Sequence, residues 1–253
     1  MYSRRKIIFG AIKTALSGIS LTACSEKKEI GVPDYADKFN AVFEPDFSWQ
    51  TRLGSKDPFQ VVPFKVIEAG ELYVTSSKIV ACDPFVSSDR EPFTQIVPMG
   101  KHRLRISYPM IHGQSGGRVS FARLDFSPQK PVTWRLAVIP GQDISTLKKD
   151  EIFGYPVDAG TGCFCDSDTF KEISKQVDEK MTNTWISEGA DEGKKLGVGF
   201  FLNKKFGAGN ILMFESGWGD GFYASYFGFD KDGAVASLLT DYAVIDWADK
   251  PKG

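Results

Sequence analysis

Residues 102–108 constrain the fold most. His102, Leu104, Ile106 and Tyr108 alternate with Arg103, Arg105 and Ser107. Successive side chains of an extended chain point to opposite faces, so this pattern gives a β-strand one apolar face and one polar face. Val132, Trp134, Leu136 and Val138 repeat it. Further strand candidates are 71–76, 78–82, 119–126, 198–202, 211–215 and 242–247. Segments 222–229 and 234–239 flank Asp230-Lys231-Asp232-Gly233, whose Asp-Gly pair favours a hairpin.

Helical periodicity is confined to two places. After Asp34, the residues Tyr35, Phe39, Val42 and Phe43 fall on one face of a helical turn. Farther on, Asp166, Ser167 or Asp168 can cap a helix whose apolar stripe is Phe170, Ile173, Val177 and Met181, ending near Trp185. Residues 187–197 read as a polar loop. The expected fold is therefore mainly β (α+β): antiparallel sheets, sandwich-like or curled, with one main covering helix. Strand and helix do not alternate, which disfavours doubly wound nucleotide-binding folds.

The first residues read as an export signal. Arg4, Arg5 and Lys6 precede a modest apolar run, and Leu21-Thr22-Ala23-Cys24 forms a lipobox. Lys13 interrupts the run, which is shorter than the roughly 20 apolar residues of a membrane-spanning helix. Cys24 is the expected lipid attachment site. At about 0.8 kcal/mol per buried methylene, two or three acyl chains hold a protein on a membrane essentially permanently. Ser3-Arg4-Arg5-Lys6-Ile7-Ile8 also has the form of a twin-arginine signal, so the export route is open between that and the general one. Ser25, in place of the aspartate of inner-membrane retention, favours the periplasmic face of the outer membrane. The expected organisation is a signal peptide at 1–23, lipidated Cys24 with a polar tether at 24–33, and a single mainly-β globular domain at 34–253.

Removing residues 1–23 removes four basic residues and no acidic one, which takes the formal charge from -1 to -5. A mildly acidic protein lacks the clustered Lys and Arg that phosphate contacts need, so nucleic acid is excluded as the expected partner. Aromatic residues make up 13% of the chain, more than a disordered stalk would carry, so a folded body is expected. Beyond Cys24, the cysteines are Cys82, Cys163 and Cys165. In an oxidising compartment Cys82 can pair with Cys163 or with Cys165, and three buried unbonded thiols are the alternative. A Cys-x-Cys metal site would need more ligands than His102 and His112 supply. No cofactor is expected.

Three segments carry candidate chemistry: Ala81-Cys82-Asp83-Pro84, Val157-Asp158-Ala159-Gly160-Thr161-Gly162-Cys163-Phe164-Cys165-Asp166, and Ser216-Gly217-Trp218-Gly219-Asp220-Gly221-Phe222-Tyr223. With Arg118-Val119 and Trp134-Arg135-Leu136-Ala137, they resemble the domain of unknown function 4241 family over roughly 71–245. That resemblance implies a shared fold and no established activity, and it makes the lipid anchor an added address. Asp83, Asp158, Asp166 and Asp220 each sit where a strand runs into a loop. If those loops meet, the carboxylates could share one rim, bind a hard cation, or split into acid and base. Asp beside Pro or Gly is equally the chemistry of ordinary turns. Trp218, between two glycines, could stack on a ligand or plug the end of a sheet.

Other motifs carry less. Gly113-Gln114-Ser115-Gly116-Gly117 matches a nucleophile elbow, but a strand-like segment follows where a helix is required. Asp158-Ala159-Gly160-Thr161-Gly162 superficially resembles a phosphate loop, yet Asp166 and Asp168 at the following helix start would repel an anion. No nucleotide is expected. Three functions remain open: a non-catalytic binding module, in particular an immunity-type protein meeting a periplasm-delivered toxin; a carboxylate- or metal-dependent hydrolase of an envelope substrate; and a structural envelope lipoprotein. The anchor itself is directly testable. Cys24→Ser should move the protein from the membrane to the soluble fraction on cell fractionation, and retention in the membrane would contradict the lipobox.

Overall fold

The computed structural model describes residues 29–52, 58–111 and 117–247. Among them, period-2 alternation builds two antiparallel sheets. The larger runs in the order β1 (Ser48–Thr51), β2 (Gln60–Val74), β4 (Gly100–Pro109), β5 (Phe121–Asp125), β12 (Val235–Asp241), β11 (Gly221–Phe229) and β6 (Thr133–Leu136), and β7 (Tyr155–Val157) also pairs with β11. The smaller runs β3 (Ile79–Cys82), β8 (Thr161–Asp166), β10 (Gly209–Glu215) and β9 (Phe201–Phe206). The protein is mainly β, as the alternation predicts. The Asp230–Gly233 turn closes the β11–β12 hairpin, with the Gly233 amide donating to the Asp230 carbonyl at 3.0 Å.

Neighbouring residues of one strand serve different cores where a sheet is covered on both faces. In β12, Leu238 joins the apolar layer between the sheets while Leu239 faces outward, beneath the N-terminal segment. In β10, Leu212 and Phe214 fill the inter-sheet layer; Ile211 and Met213 face the helices. The same parity puts Phe164 inside and Cys163 and Cys165 on the helix side of β8. The outer layer over the large sheet is aromatic. Phe39, from the short helix α1 (Lys38–Ala41), meets Trp134 edge-on at 5.2 Å, and Trp247 stacks on Tyr35 at 5.6 Å.

Two buried polar side chains join the sheets. β2 shifts register against β4 between Glu68 and Glu71, and beyond that point it runs toward the small sheet. There Asn210 of β10 receives the Tyr73 amide at 2.9 Å and donates to the Glu71 carbonyl at 2.8 Å, so it stands in for a neighbouring strand. At the β2–β3 turn, Asp166 accepts from the Thr75 amide and hydroxyl and from the Ser76 amide and hydroxyl. It also caps the next helix by accepting from the amides of Asp168 and Thr169. Burial works to raise the pKa of this carboxyl. The donations from Ser76, Thr75 and Asp168 outweigh it and hold the group below the ordinary aspartate range.

The helical layer runs farther than the sequence reading. It comprises α2 (Ser167–Gln176) and α3 (Glu179–Leu196), so residues expected as a polar loop are helical. Asp178 restarts the helix by accepting the Met181 amide at 2.7 Å. Gly189 and Gly193, which resemble loop glycines in sequence, are packing glycines. A Cβ at Gly189 would lie 2.2 Å from the Phe200 ring, and one at Gly193 would lie 2.8 Å from the Phe200 Cα. Segment 242–247 is not a strand either. The Asp241 carboxylate takes the Ala243 amide at 2.8 Å, breaks the ladder, and turns Ile245 and Trp247 onto the outer aromatic layer.

Candidate functional site

The turn after Cys82 and the loops at 157–160 and 216–221 meet at one end of the small sheet. Asp83 follows β3, and its carboxylate is fully buried. One oxygen accepts the amides of Asp158 at 3.0 Å and Ala159 at 2.7 Å; the other accepts the Phe85 amide at 3.1 Å. The Phe85 bond is the local turn chemistry of an Asp-Pro pair, while the other two bind a loop more than seventy residues away. That loop passes the constraint on: the Gly160 carbonyl accepts the Ser216 amide at 3.0 Å.

The Trp218 loop is folded by its own polar atoms. Ser216 Oγ and the Tyr223 hydroxyl both donate to the Gly219 carbonyl at 2.9 Å, and the Gly219 amide returns to the Ser216 carbonyl at 3.0 Å. Gly217 and Gly219 have φ of 58° and 100°, a left-handed backbone that glycine adopts without a Cβ clash. Trp218 between them is half-buried against the inter-sheet core, and its Nε1 donates to the Val244 carbonyl at 3.4 Å. It therefore plugs the end of the sheet. The Arg118 guanidinium lies 4.8 Å from its ring centre and donates to the Gly217 carbonyl at 3.1 Å.

Polar residues that the sequence reading did not single out brace this end. Glu215, last in β10, accepts the Val119 amide at 3.1 Å. Burial pushes its carboxyl above the ordinary glutamate range, against the pull of the Val119 and Gly199 amides and of Arg118. Tyr155 and Tyr242 share a buried hydroxyl–hydroxyl bond of 2.7 Å. A Cβ at Gly162 would lie 1.9 Å from the Tyr242 hydroxyl, so the second glycine of Gly-Thr-Gly exists to admit that tyrosine. Arg90 donates to the Gly154 carbonyl at 3.0 Å. Only an acidic residue closing the apolar run 211–214 could have marked Glu215 beforehand. For the tyrosine pair nothing local could.

The candidate residues thus part company. Asp83, Asp158, Trp218 and Asp220 belong to contiguous loops. Asp166 lies at the opposite end of β8, since the ladder sets Cys163 against Cys82 and Asp166 against Ile79. Asp83 and Asp166 spend their oxygens on hydrogen bonds inside the fold. Asp158 and Asp220 are exposed, and Phe222 beside them is 45% exposed. Among the described residues, no three His, Cys, Asp or Glu side chains are grouped to hold a metal. His102 is a core residue, with Nε2 2.7 Å from the Pro98 carbonyl and its ring edge-on to Phe126. His112, Ser115 and Cys24 lie outside the described residues. A groove of about 330 Å³ lined by Arg135, Leu136, Phe227 and Phe229, among others, is formed by residues other than those of the rim.

The chain belongs to the family described as Protein of unknown function (DUF4241), which matches residues 72–240. The match begins in the last residues of β2 and ends in β12, so it takes in all three loops and Asp166 and leaves out α1, β1 and Trp247. No curated protein and no solved structure matches the chain.

Asp83 is the residue on which this loop geometry rests. Asp83→Ala, which leaves three amides without their acceptor, should cost about 3 kcal/mol of unfolding free energy in urea titration. Asp83→Asn, which keeps an acceptor oxygen, should cost less. A loss under about 1 kcal/mol for Asp83→Ala would show that the loops hold without it.

Proposed function

We propose that this protein is a lipid-anchored cell-envelope binding module, held by Cys24 at the periplasmic face of the outer membrane. Its docking surface is the rim formed by loops 157–161 and 216–222. One observation carries the reading: the four candidate aspartates divide into two that are consumed inside the fold and two, Asp158 and Asp220, that stand exposed beside Trp218 and Phe222. Acid–base or metal chemistry needs carboxylates free to meet substrate, and Asp83 and Asp166 are committed to amides and hydroxyls. Aromatic side chains flanked by carboxylates on braced loops suit a macromolecular partner. The fixed backbone spares the entropy cost of ordering on binding.

The exposed carboxylates and the formal charge of -5 expected after processing favour a basic protein partner. The specific form of the proposal is an immunity-type role, with a basic toxin delivered into the periplasm as the partner. Neither nucleic acid nor a nucleotide is part of it.

Pull-down from envelope extracts with the full chain, compared with Trp218→Ala and Asp220→Asn, tests the rim. Trp218→Ala should weaken partner recovery by on the order of tenfold or more, as loss of a central interface tryptophan does. Asp220→Asn should weaken it less and chiefly at low salt. Recovery of the same partner at the same level by all three proteins would overturn the assignment.

A further inference from the structure

Cys82 and Cys163 sit directly opposite one another in the β3–β8 ladder, with Sγ atoms 3.7 Å apart. Both are free thiols in this structure, and both are fully buried on the helix side of the small sheet. Opposed residues of an antiparallel pair have Cα atoms about 4.5 or 5.5 Å apart, within the 4.4–6.8 Å span of disulfides. Opposed Cβ atoms lie about 4.5–5.5 Å apart, so rotation about the Cα–Cβ bonds with a small closing of the two strands brings the sulfurs to a bonding distance near 2.05 Å. Cys165 lies on the same face but is opposite Val80, and its thiol donates to the Asn210 carbonyl at 3.7 Å. Ladder register therefore separates two cysteines that the sequence leaves equivalent.

We propose that Cys82 and Cys163 form a disulfide when the chain folds in an oxidising compartment, and that Cys165 remains a buried thiol. A disulfide of the compartment, from a small molecule or a dithiol oxidase, is the oxidant. One thiolate attacks it to form a mixed disulfide, and the second thiolate displaces the carrier sulfur. The pair loses two protons and two electrons as its S–S bond forms, and the oxidant's S–S bond is reduced to two thiols.

Timing follows from burial. In the folded chain, desolvation first, then the hydrogen bond and charge of Cys163, push the Cys82 thiol well up, against a weaker pull from Arg90. The attacking thiolate is therefore scarce and has no exposed surface once the helices cover the sheet. The bond forms as β3 and β8 pair, before α2 and α3 close over them.

The test is refolding of the reduced full chain from denaturant in a glutathione redox buffer, followed by alkylation and fragment-resolved peptide mapping. The expected product links the tryptic peptide of Cys82 to Cys163 in most molecules, and Cys165 is alkylated after denaturation. The same link should form in Cys165→Ser. Folded reduced protein placed in the same buffer should acquire the link at least tenfold more slowly. Wild-type protein with Cys82 and Cys163 both alkylatable after oxidative refolding, or with Cys82 linked to Cys165, would overturn the proposal.

Discussion

A buried carboxylate that gathers backbone amides is the interaction on which this architecture depends. Asp166 receives six donations, from the β2–β3 turn on one side and the first turn of α2 on the other. A single side chain thus fixes where the large sheet hands over to the small one and where the helical layer begins. Desolvating a charge is costly, and the cost is met only when every lone pair finds a donor. Asp83 repeats the device at the other end of the small sheet, with three amides from two segments. Asn210, at the Asp166 end of that sheet, completes the unpaired edge of β2 with its amide. The sheets are thereby held by directional bonds as well as by apolar contact, which fixes their relative register.

The same devices explain the glycine-rich loops. Loops 157–161 and 216–222 belong to a chain of bonds running from Asp83 through Gly160 to Ser216, closed by Tyr223 on the Gly219 carbonyl. Glycines at 217 and 219 supply the backbone turn, and the one at 162 makes room for Tyr242. Most of the polar and small residues shared by these motifs are accounted for by the loop conformation they enforce. What the conformation leaves over is the outward set of Asp158, Asp220 and Phe222, beside the half-buried Trp218. That remainder is why the proposed function places binding at this rim.

The sequence was legible where one strand face meets solvent. β4 shows its alternation because Arg103 and Arg105 point away from the inter-sheet core that Leu104 and Ile106 enter. It fails for β8, whose six residues are all buried and whose Thr-Gly-Cys-Phe-Cys-Asp reads as a loop. A strand covered on both faces has no polar partner to mark its period. Gly189 and Gly193 misled for a related reason: a glycine admitting a neighbour's ring looks the same in sequence as one ending a helix. For the candidate site, local chemistry was readable and long-range chemistry was not. The cap formed by Asp166 and the turn formed by Asp83 follow from adjacent residues, whereas their bonds to Ser76 and Ala159 cross about ninety and seventy-five positions.

Stability as a function of pH, compared between the wild type and Asp166→Asn, tests the central role of the carboxylate hub most directly. A carboxyl held below its ordinary pKa stabilises the fold fully above the unfolded value near 3.9 and loses that contribution as pH falls through the folded value. Asp166→Asn should therefore be markedly less stable at pH 7, and the two curves should converge as acid protonates the wild-type carboxyl. Curves that run together at neutral pH, or stay parallel down to about pH 2, would show that the charge of Asp166 does not hold the two sheets in place.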